Sequence, residues 1–127
     1  VFGDPHFGML SWSDETGENF DLKIAENIFN KGMRRLAQAT TASKTGLLVN
    51  LGDFFHRDGI FPVTSRSGHR LYVDGRYAHM VRVGIDVVRF RIREMLNKHE
   101  TVHVINAIGN HDTASAIFLS AALHHIY

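Results

Sequence analysis

The sequence predicts an α/β fold, a mainly parallel sheet with flanking helices, and three observations carry that expectation. Short apolar runs end at Phe2, Leu51 and Ile108, and each is followed at once by a polar motif. Long segments of helical period separate the runs, as crossover connections between parallel strands require. Parallel strands also hold their C-terminal ends side by side, so residues just past three such ends meet in one crevice.

In chain order, Val1 and Phe2 read as the end of a strand, and Gly8 to Asn19, rich in Ser, Asp, Glu and Gly, as a loop. A helix is expected from about Phe20 to Ala39, with Phe20, Ile24, Ile28 and Leu36 as its apolar stripe. Leu47 to Leu51 reads as a short buried strand. Gly59 to Gly75 holds turn-forming residues and several Arg, which predicts a loop or small hairpin rather than a second domain. Tyr77, Val81, Ile85, Val88, Ile92 and Met95 repeat at helical spacing between about Arg76 and Lys98. Val102 to Ile108 predicts a third buried strand, and Thr113 caps or opens a last helix over Ala114 to His125.

The polar motifs are Gly3-Asp4-Pro5-His6, Gly52-Asp53-Phe54-Phe55-His56-Arg57 and Gly109-Asn110-His111-Asp112. Asp4, His6, Asp53 and Asn110 offer carboxylate, amide and imidazole ligands, the mixture that holds a water-activating divalent cation. Turn residues and helix caps are the alternative reading of the same positions. His111 follows the Asn directly and is suited to protonate a leaving alkoxide near neutral pH, with Asp112 to orient it. His56 either supports the same proton path or is a packed imidazole. Trp12, in the loop after the first motif, reads either as a base-stacking platform or as a packing residue.

With these motifs in view, the chain resembles the calcineurin-like metallophosphoesterases, whose pattern runs D-x-H, then G-D, then G-N-H-D. Gly52-Asp53-Phe54-Phe55-His56 is similar to the G-D-x-F-H of the double-strand-break repair nuclease branch and its phage exonuclease relatives. Arg57, however, stands where the Ser/Thr phosphatase branch carries a phosphate-binding Arg. The resemblance implies a four-layer α/β/β/α sandwich, of which residues 1–127 are expected to be the N-terminal part of a single catalytic domain. It implies two divalent metal ions, Mn²⁺ first and Mg²⁺, Fe or Zn²⁺ as alternatives, with Asp4 and His6 on one, Asp53 bridging and Asn110 on the other. A nucleic-acid substrate, DNA first, an SMC-like ATPase subunit as partner, and a bacterial or phage-encoded protein in the cytoplasm follow from it. His124 and His125 fall on the helix directly after the third motif, and no G-H-x-H motif is present, so the second metal site is expected to be incomplete.

Composition narrows the chemistry. The 127 residues include no Cys, which excludes disulfides and thiolate ligands and leaves nine His and the oxygen ligands. No apolar run approaches a membrane span. Net charge is +1, yet His56 to His99 carries nine Arg or Lys (Arg57, Arg66, Arg70, Arg76, Arg82, Arg89, Arg91, Arg93, Lys98) against four acids. That segment reads either as a polyanion-attracting surface or as a solvated helix face. The leading expectation is a two-metal phosphodiesterase acting on nucleic acid. The alternatives are a phosphomonoesterase or nucleotide pyrophosphohydrolase, for which Arg57 speaks, and a catalytically incomplete metal-binding fragment.

Overall fold

The computed structural model describes all residues, Val1 to Tyr127. Its elements are α1 (Ser13–Thr16), α2 (Leu22–Ala39), β1 (Thr45–Asn50), α3 (Tyr77–Leu96), β2 (Thr101–Asn106) and α4 (Thr113–Ile126). The chain is mixed α/β. β1 and β2 pair in parallel from Thr45 opposite Thr101 to Asn50 opposite Asn106, and Phe2 adds one parallel bridge to Asn50 on the other edge of β1. The first expected strand is thus a single bridge. β1 and β2 begin earlier than their apolar runs and end at Asn50 and Asn106, one and two residues short of the predicted ends.

Helices cover one face of this sheet. Gly46, Leu48 and Asn50 share the buried face of β1, where Gly46 lies against Met95 of α3 and His99 just past its end, and Asn106 in register with Asn50 donates to Ala116 C=O of α4 at 3.0 Å. On the opposite face Leu47 and Ile105 are half exposed. These residues therefore form a helix layer and a sheet layer, and the four-layer sandwich is not formed within them.

α2 starts at Leu22 rather than Phe20 because Asp21 caps it, its carboxylate accepting from Ile24 N–H at 2.7 Å. Phe20 instead pairs with Ser11. The expected stripe also rotates. Leu22 and Ala25 are buried and Phe29 and Met33 pack on the core, whereas Ile28 and Leu36 are exposed. α3 lies between α2 and the sheet, so it is buried on more than one side: Met80, Val87, Val88, Arg91, Ile92 and Met95 are interior, while Tyr77, Val81 and Ile85 are half-buried. Residues 59–75 form the small hairpin expected, closed by a bridge between Val63 and Arg70. The core beneath the motif loops is aromatic, with Phe7 stacked on Phe54 at 4.9 Å between centroids and Phe54 edge-on to Phe55 at 4.8 Å.

The basic middle segment separates by burial. Arg91 is 3 % exposed, its guanidinium over the rings of Phe2 (4.1 Å) and Phe29 (4.3 Å), and burial lowers its pKa to about 10. Lys98 donates to Gln38 and Thr40 carbonyls at the C-terminus of α2, a favourable place for a cation. Arg57 is buried as well, whereas Arg66, Arg70, Arg76, Arg82, Arg89 and Arg93 are exposed. No helix is long and apolar enough to cross a membrane.

Two glycines test the packing with opposite signs. A Cβ at Gly84 of α3 would stand 2.7 Å from Phe55 Cζ and 2.9 Å from Phe54 Cε1. Gly84→Ala is therefore expected to cost about 1–3 kcal/mol by overpacking. At Gly32 of α2 a Cβ meets nothing within 4 Å, so Gly32→Ala should stabilise by roughly 0.5–1 kcal/mol through helix propensity. Urea unfolding of both variants measures this; equal effects would refute the packing of the Phe54–Phe55 pair on α3.

Candidate metal centre

The first and second motif loops run side by side beyond the strand ends. Asp4 N–H donates to Gly52 C=O (3.2 Å), His6 N–H to Asp53 C=O (3.2 Å), Phe7 N–H to Phe54 C=O (2.8 Å) and His56 N–H to Phe7 C=O (2.9 Å). The third loop docks on the second. Gly52 adopts φ 106°, and a Cβ there would lie 3.1 Å from Gly109 Cα and N. A Cβ on Gly109 would collide with the Asp53 backbone nitrogen and carboxylate, and would stand 2.7 Å from Asp53 Cα. His111 N–H then donates to Asp53 Oδ1 at 2.7 Å.

This docking gathers two overlapping groups. Asp4, His6 and Asp53 place one ligand atom each within 4.8 Å of one another, and so do His6, His56 and His111. Asp4, His6 and Asp53 are also the three non-glycine residues with left-handed backbone, at φ 46°, 45° and 48°. Such a conformation costs of order 1–3 kcal/mol each, with Asp among the residues that tolerate it best, and persists where the surroundings enforce it. Two carboxylates and an imidazole suit Mn²⁺, Mg²⁺ or Fe, while three imidazoles suit Zn²⁺ and other borderline metals. The residues present can hold a metal ion.

Asn110, the fourth expected ligand, is exposed beside His111. It lines a cavity of about 420 Å³ with Ser65, Arg66, Ile108, Gly109 and Thr113. Arg66 and Ser65 belong to the 59–75 hairpin and were not singled out by the sequence. The only signal was their place in a basic loop, and nothing in it indicates which Arg folds over the third motif.

The imidazoles are arranged by backbone and by one another. His56 Nδ1 lies 3.1 Å from His6 Nδ1, and the His56 and His111 rings stack at 5.8 Å. His111 Nδ1 contacts His56 C=O at 3.2 Å. A carbonyl only accepts, so Nδ1 of His111 carries the proton and Nε2 is left with its lone pair. Burial, then the neighbouring His6, His111 and Arg57 charges, lowers the His56 pKa to about 4. Burial and His111 lower that of His6 against the opposing pull of Asp53, Asp4 and Asp112.

Two expected roles are corrected. Asp112 does not orient the His111 ring. It is fully buried, and its carboxylate accepts from Phe55 N–H (3.1 Å) and Gly109 N–H (3.0 Å), tying the second loop to the third. Burial raises its pKa against these backbone bonds. Arg57 does not face the site with a free guanidinium. Its Nη1 and Nη2 donate to Ile60 C=O (3.2 Å) and Gly75 C=O (2.8 Å), anchoring both ends of the 59–75 segment. Both groups fold inward and take backbone partners, which offsets the cost of leaving them wholly unpaired, although Arg57 Nε remains without a partner.

Asp58, unremarked in the sequence, supplies the cap that Asp112 does not: its two oxygens accept from Ala114 and Ser115 N–H at 2.9 and 2.7 Å. His124 and His125 lie at the far end of α4, roughly 17 Å along the axis from Thr113 at about 1.5 Å per residue, and do not join the cluster. Trp12 is 64 % exposed and lines a surface cavity with Tyr72. No protein-family model, curated protein or solved structure matches this chain.

The lowered imidazole pKa values fix a sign for pH dependence. Between about 6.5, the value of a free imidazole, and about 4, the unfolded chain takes up a proton on His56 that the folded chain refuses. Stability is therefore present above pH 6.5 and is lost as pH falls through this window. Asp112, with its pKa raised, opposes the trend in its acidic part. With the shift discounted for solvent screening, the metal-free protein is expected to lose on the order of 1–2 kcal/mol between pH 7 and 4, and His56→Gln should flatten the slope in urea titrations. An unchanged slope in that variant would exclude His56 as its source.

Proposed function

We propose that this chain carries the metal site of a divalent-metal-dependent phosphodiesterase acting on nucleic acid, in line with the metallophosphoesterase-like motifs. One observation carries the reading: the three residues held in left-handed backbone are the same three whose side chains converge as Asp-His-Asp. Strain confined to one potential ligand set is what a preorganised site shows. A divalent cation bound there supplies a Lewis acid for a phosphoryl oxygen and lowers the pKa of a coordinated water. Mn²⁺ is the cation we assign to this donor set, with Mg²⁺ and Fe as alternatives, and Asp53 and Asn110 are assigned to a second cation.

The chain's own residues then divide the remaining work. His111, with one proton fixed on Nδ1 by the His56 carbonyl, presents Nε2, which after taking up a second proton gives that proton to the leaving oxygen and returns to the neutral imidazole. Arg66 and Ser65, across the cavity from Asn110, are placed to hold a non-reacting phosphate. The exposed Arg residues favour an extended polyanion. The phosphomonoesterase alternative loses its support, because Arg57 spends two of its donors on backbone carbonyls.

Manganese titration and hydrolysis together test this. Mn²⁺ should bind the wild-type chain and be lost in Asp53→Asn with the circular dichroism unchanged. A chain in which the second site is complete should, loaded with Mn²⁺, cleave bis-nitrophenyl phosphate and single-stranded DNA in preference to nitrophenyl phosphate, with salt suppressing only DNA cleavage strongly, whereas residues 1–127 alone are expected to be nearly inactive. A preference for the monoester without salt-sensitive DNA cleavage would move the assignment to a phosphatase. Failure to bind Mn²⁺ would remove the reading altogether.

Two side chains should separate chemistry from binding. His111→Ala is expected to lower turnover by roughly 10²–10⁴ with metal retained, and by less when the leaving group is nitrophenolate. Arg66→Ala is expected to raise KM for single-stranded DNA roughly tenfold, the scale of one charge-assisted hydrogen bond, with kcat and metal content unchanged. Equal loss on good and poor leaving groups would reassign His111 to positioning.

A further inference from the structure

Trp12, the single tryptophan of the chain, takes no part in the core. Trp12 and Tyr72 are 64 % and 76 % exposed, and with Leu10, Glu15 and Thr16 they line one cavity of about 220 Å³. Exposed aromatics scattered singly are ordinary. Two that wall one cavity from two distant loops are a built feature.

Backbone pairing brings the two rings together and ties both to the metal loops. Leu10 N–H donates to Tyr72 C=O (3.1 Å) and Asp74 N–H to Gly8 C=O (2.9 Å), with Met9 and Val73 bridged antiparallel between them. The same stretch of chain begins at His6, whose N–H is bonded to Asp53 C=O, so Trp12 lies at most about 20 Å from His6 at ~3.3 Å per residue. Tyr72 belongs to the 59–75 hairpin, whose two ends Arg57 holds. That hairpin also carries Arg66 to the Asn110 cavity, so one element reaches both cavities.

The polar lining selects what the aromatic cavity takes. Glu15 is its one charged residue and is in no ion pair. The Ser11 and Thr16 hydroxyls are spent on the Glu18 and Trp12 carbonyls, which leaves the Glu15 carboxylate as the free acceptor. A carboxylate repels phosphate and accepts from N–H donors. A planar group with donors along its edge therefore fits, and an anionic group does not.

Resting on the nucleic-acid reading above, we propose that this cavity is a nucleobase pocket, in which one unstacked base of a single strand lies against Trp12 and Tyr72 and donates from its edge to Glu15. Stacking tolerates any base and supplies the affinity. The carboxylate supplies the preference: guanine presents N1–H and N2–H side by side to its two oxygens, whereas thymine offers one donor. The phosphates of the strand then run along the hairpin toward Arg66.

Binding without metal tests this apart from catalysis. In EDTA, Trp12 fluorescence and the anisotropy of a fluorescein-labelled strand of about eight nucleotides are read for three strands: oligothymidylate with one central guanine, oligothymidylate, and an abasic strand of equal charge. The two base-bearing strands should quench Trp12 and the abasic strand should not. The guanine strand should bind roughly fivefold more tightly than oligothymidylate, the lower end for a bidentate edge contact. Tyr72→Ala should weaken it roughly tenfold with circular dichroism unchanged, the scale of one stacked base, and Glu15→Gln should remove the preference for guanine but keep the quenching. Equal affinity for abasic and base-bearing strands, or binding without quenching, would overturn the pocket and leave the nucleic-acid reading standing. Equal affinity of the wild-type chain for the guanine and thymine strands would overturn the role of Glu15. Binding of none of the three strands would overturn the pocket together with the substrate class.

Discussion

The approach of two turns, those that follow β1 and β2, is the constraint on which the rest of the site depends. Gly109 sits so close to Asp53 that no side chain fits at that position, and this lets His111 N–H reach the Asp53 carboxylate. The buried Asp112 carboxylate binds both turns at once through Phe55 and Gly109 N–H. A carboxylate removed from water is costly unless its lone pairs are filled, and here backbone donors from two separate loops fill them. The same bonds that stabilise Asp112 thus hold Asp53 in a conformation its own φ disfavours.

The features most legible in the sequence were those set by order along the chain. Apolar runs ending in Gly-Asp or Gly-Asn motifs place ligands at strand ends whatever the surrounding detail, and Asp4, His6 and Asp53 do meet. Less legible was everything that depends on which way a charged side chain folds. Arg57 and Asp112 occupy motif positions, but each has one backbone partner far away in sequence, Gly75 and Phe55, which no local pattern announces. Asp58 caps α4 from 56 positions away. Arg91 did leave a trace: it falls one turn after Val87 and Val88 and one turn before Met95, on a face otherwise apolar. The rotated stripe of α2 has a related cause, since Ile28 and Leu36 keep helical spacing with the core residues but face the open groove beside β1.

Overlap between the two ligand groups decides how the imidazoles divide their work. His6 belongs to both, and one ring cannot serve both through the same nitrogen. The carboxylate group offers two negative charges to a divalent cation and the imidazole group none, so electrostatics favours the cation beside Asp4 and Asp53. Burial keeps the His6 and His56 protons weakly held, so near neutral pH the lone pairs are available without a proton to displace. The two Nδ1 atoms 3.1 Å apart then share one proton between them. Were His6 to hold a cation through its other nitrogen, its Nδ1–H would be donated to His56, the arrangement in which a ligating imidazole is oriented by a second group. His56 would then be a positioning residue with its own proton on Nε2, while its carbonyl fixes the tautomer of His111. In the proposed reading the third histidine, whose Nε2 would stay off the metal, would be the one left to handle protons.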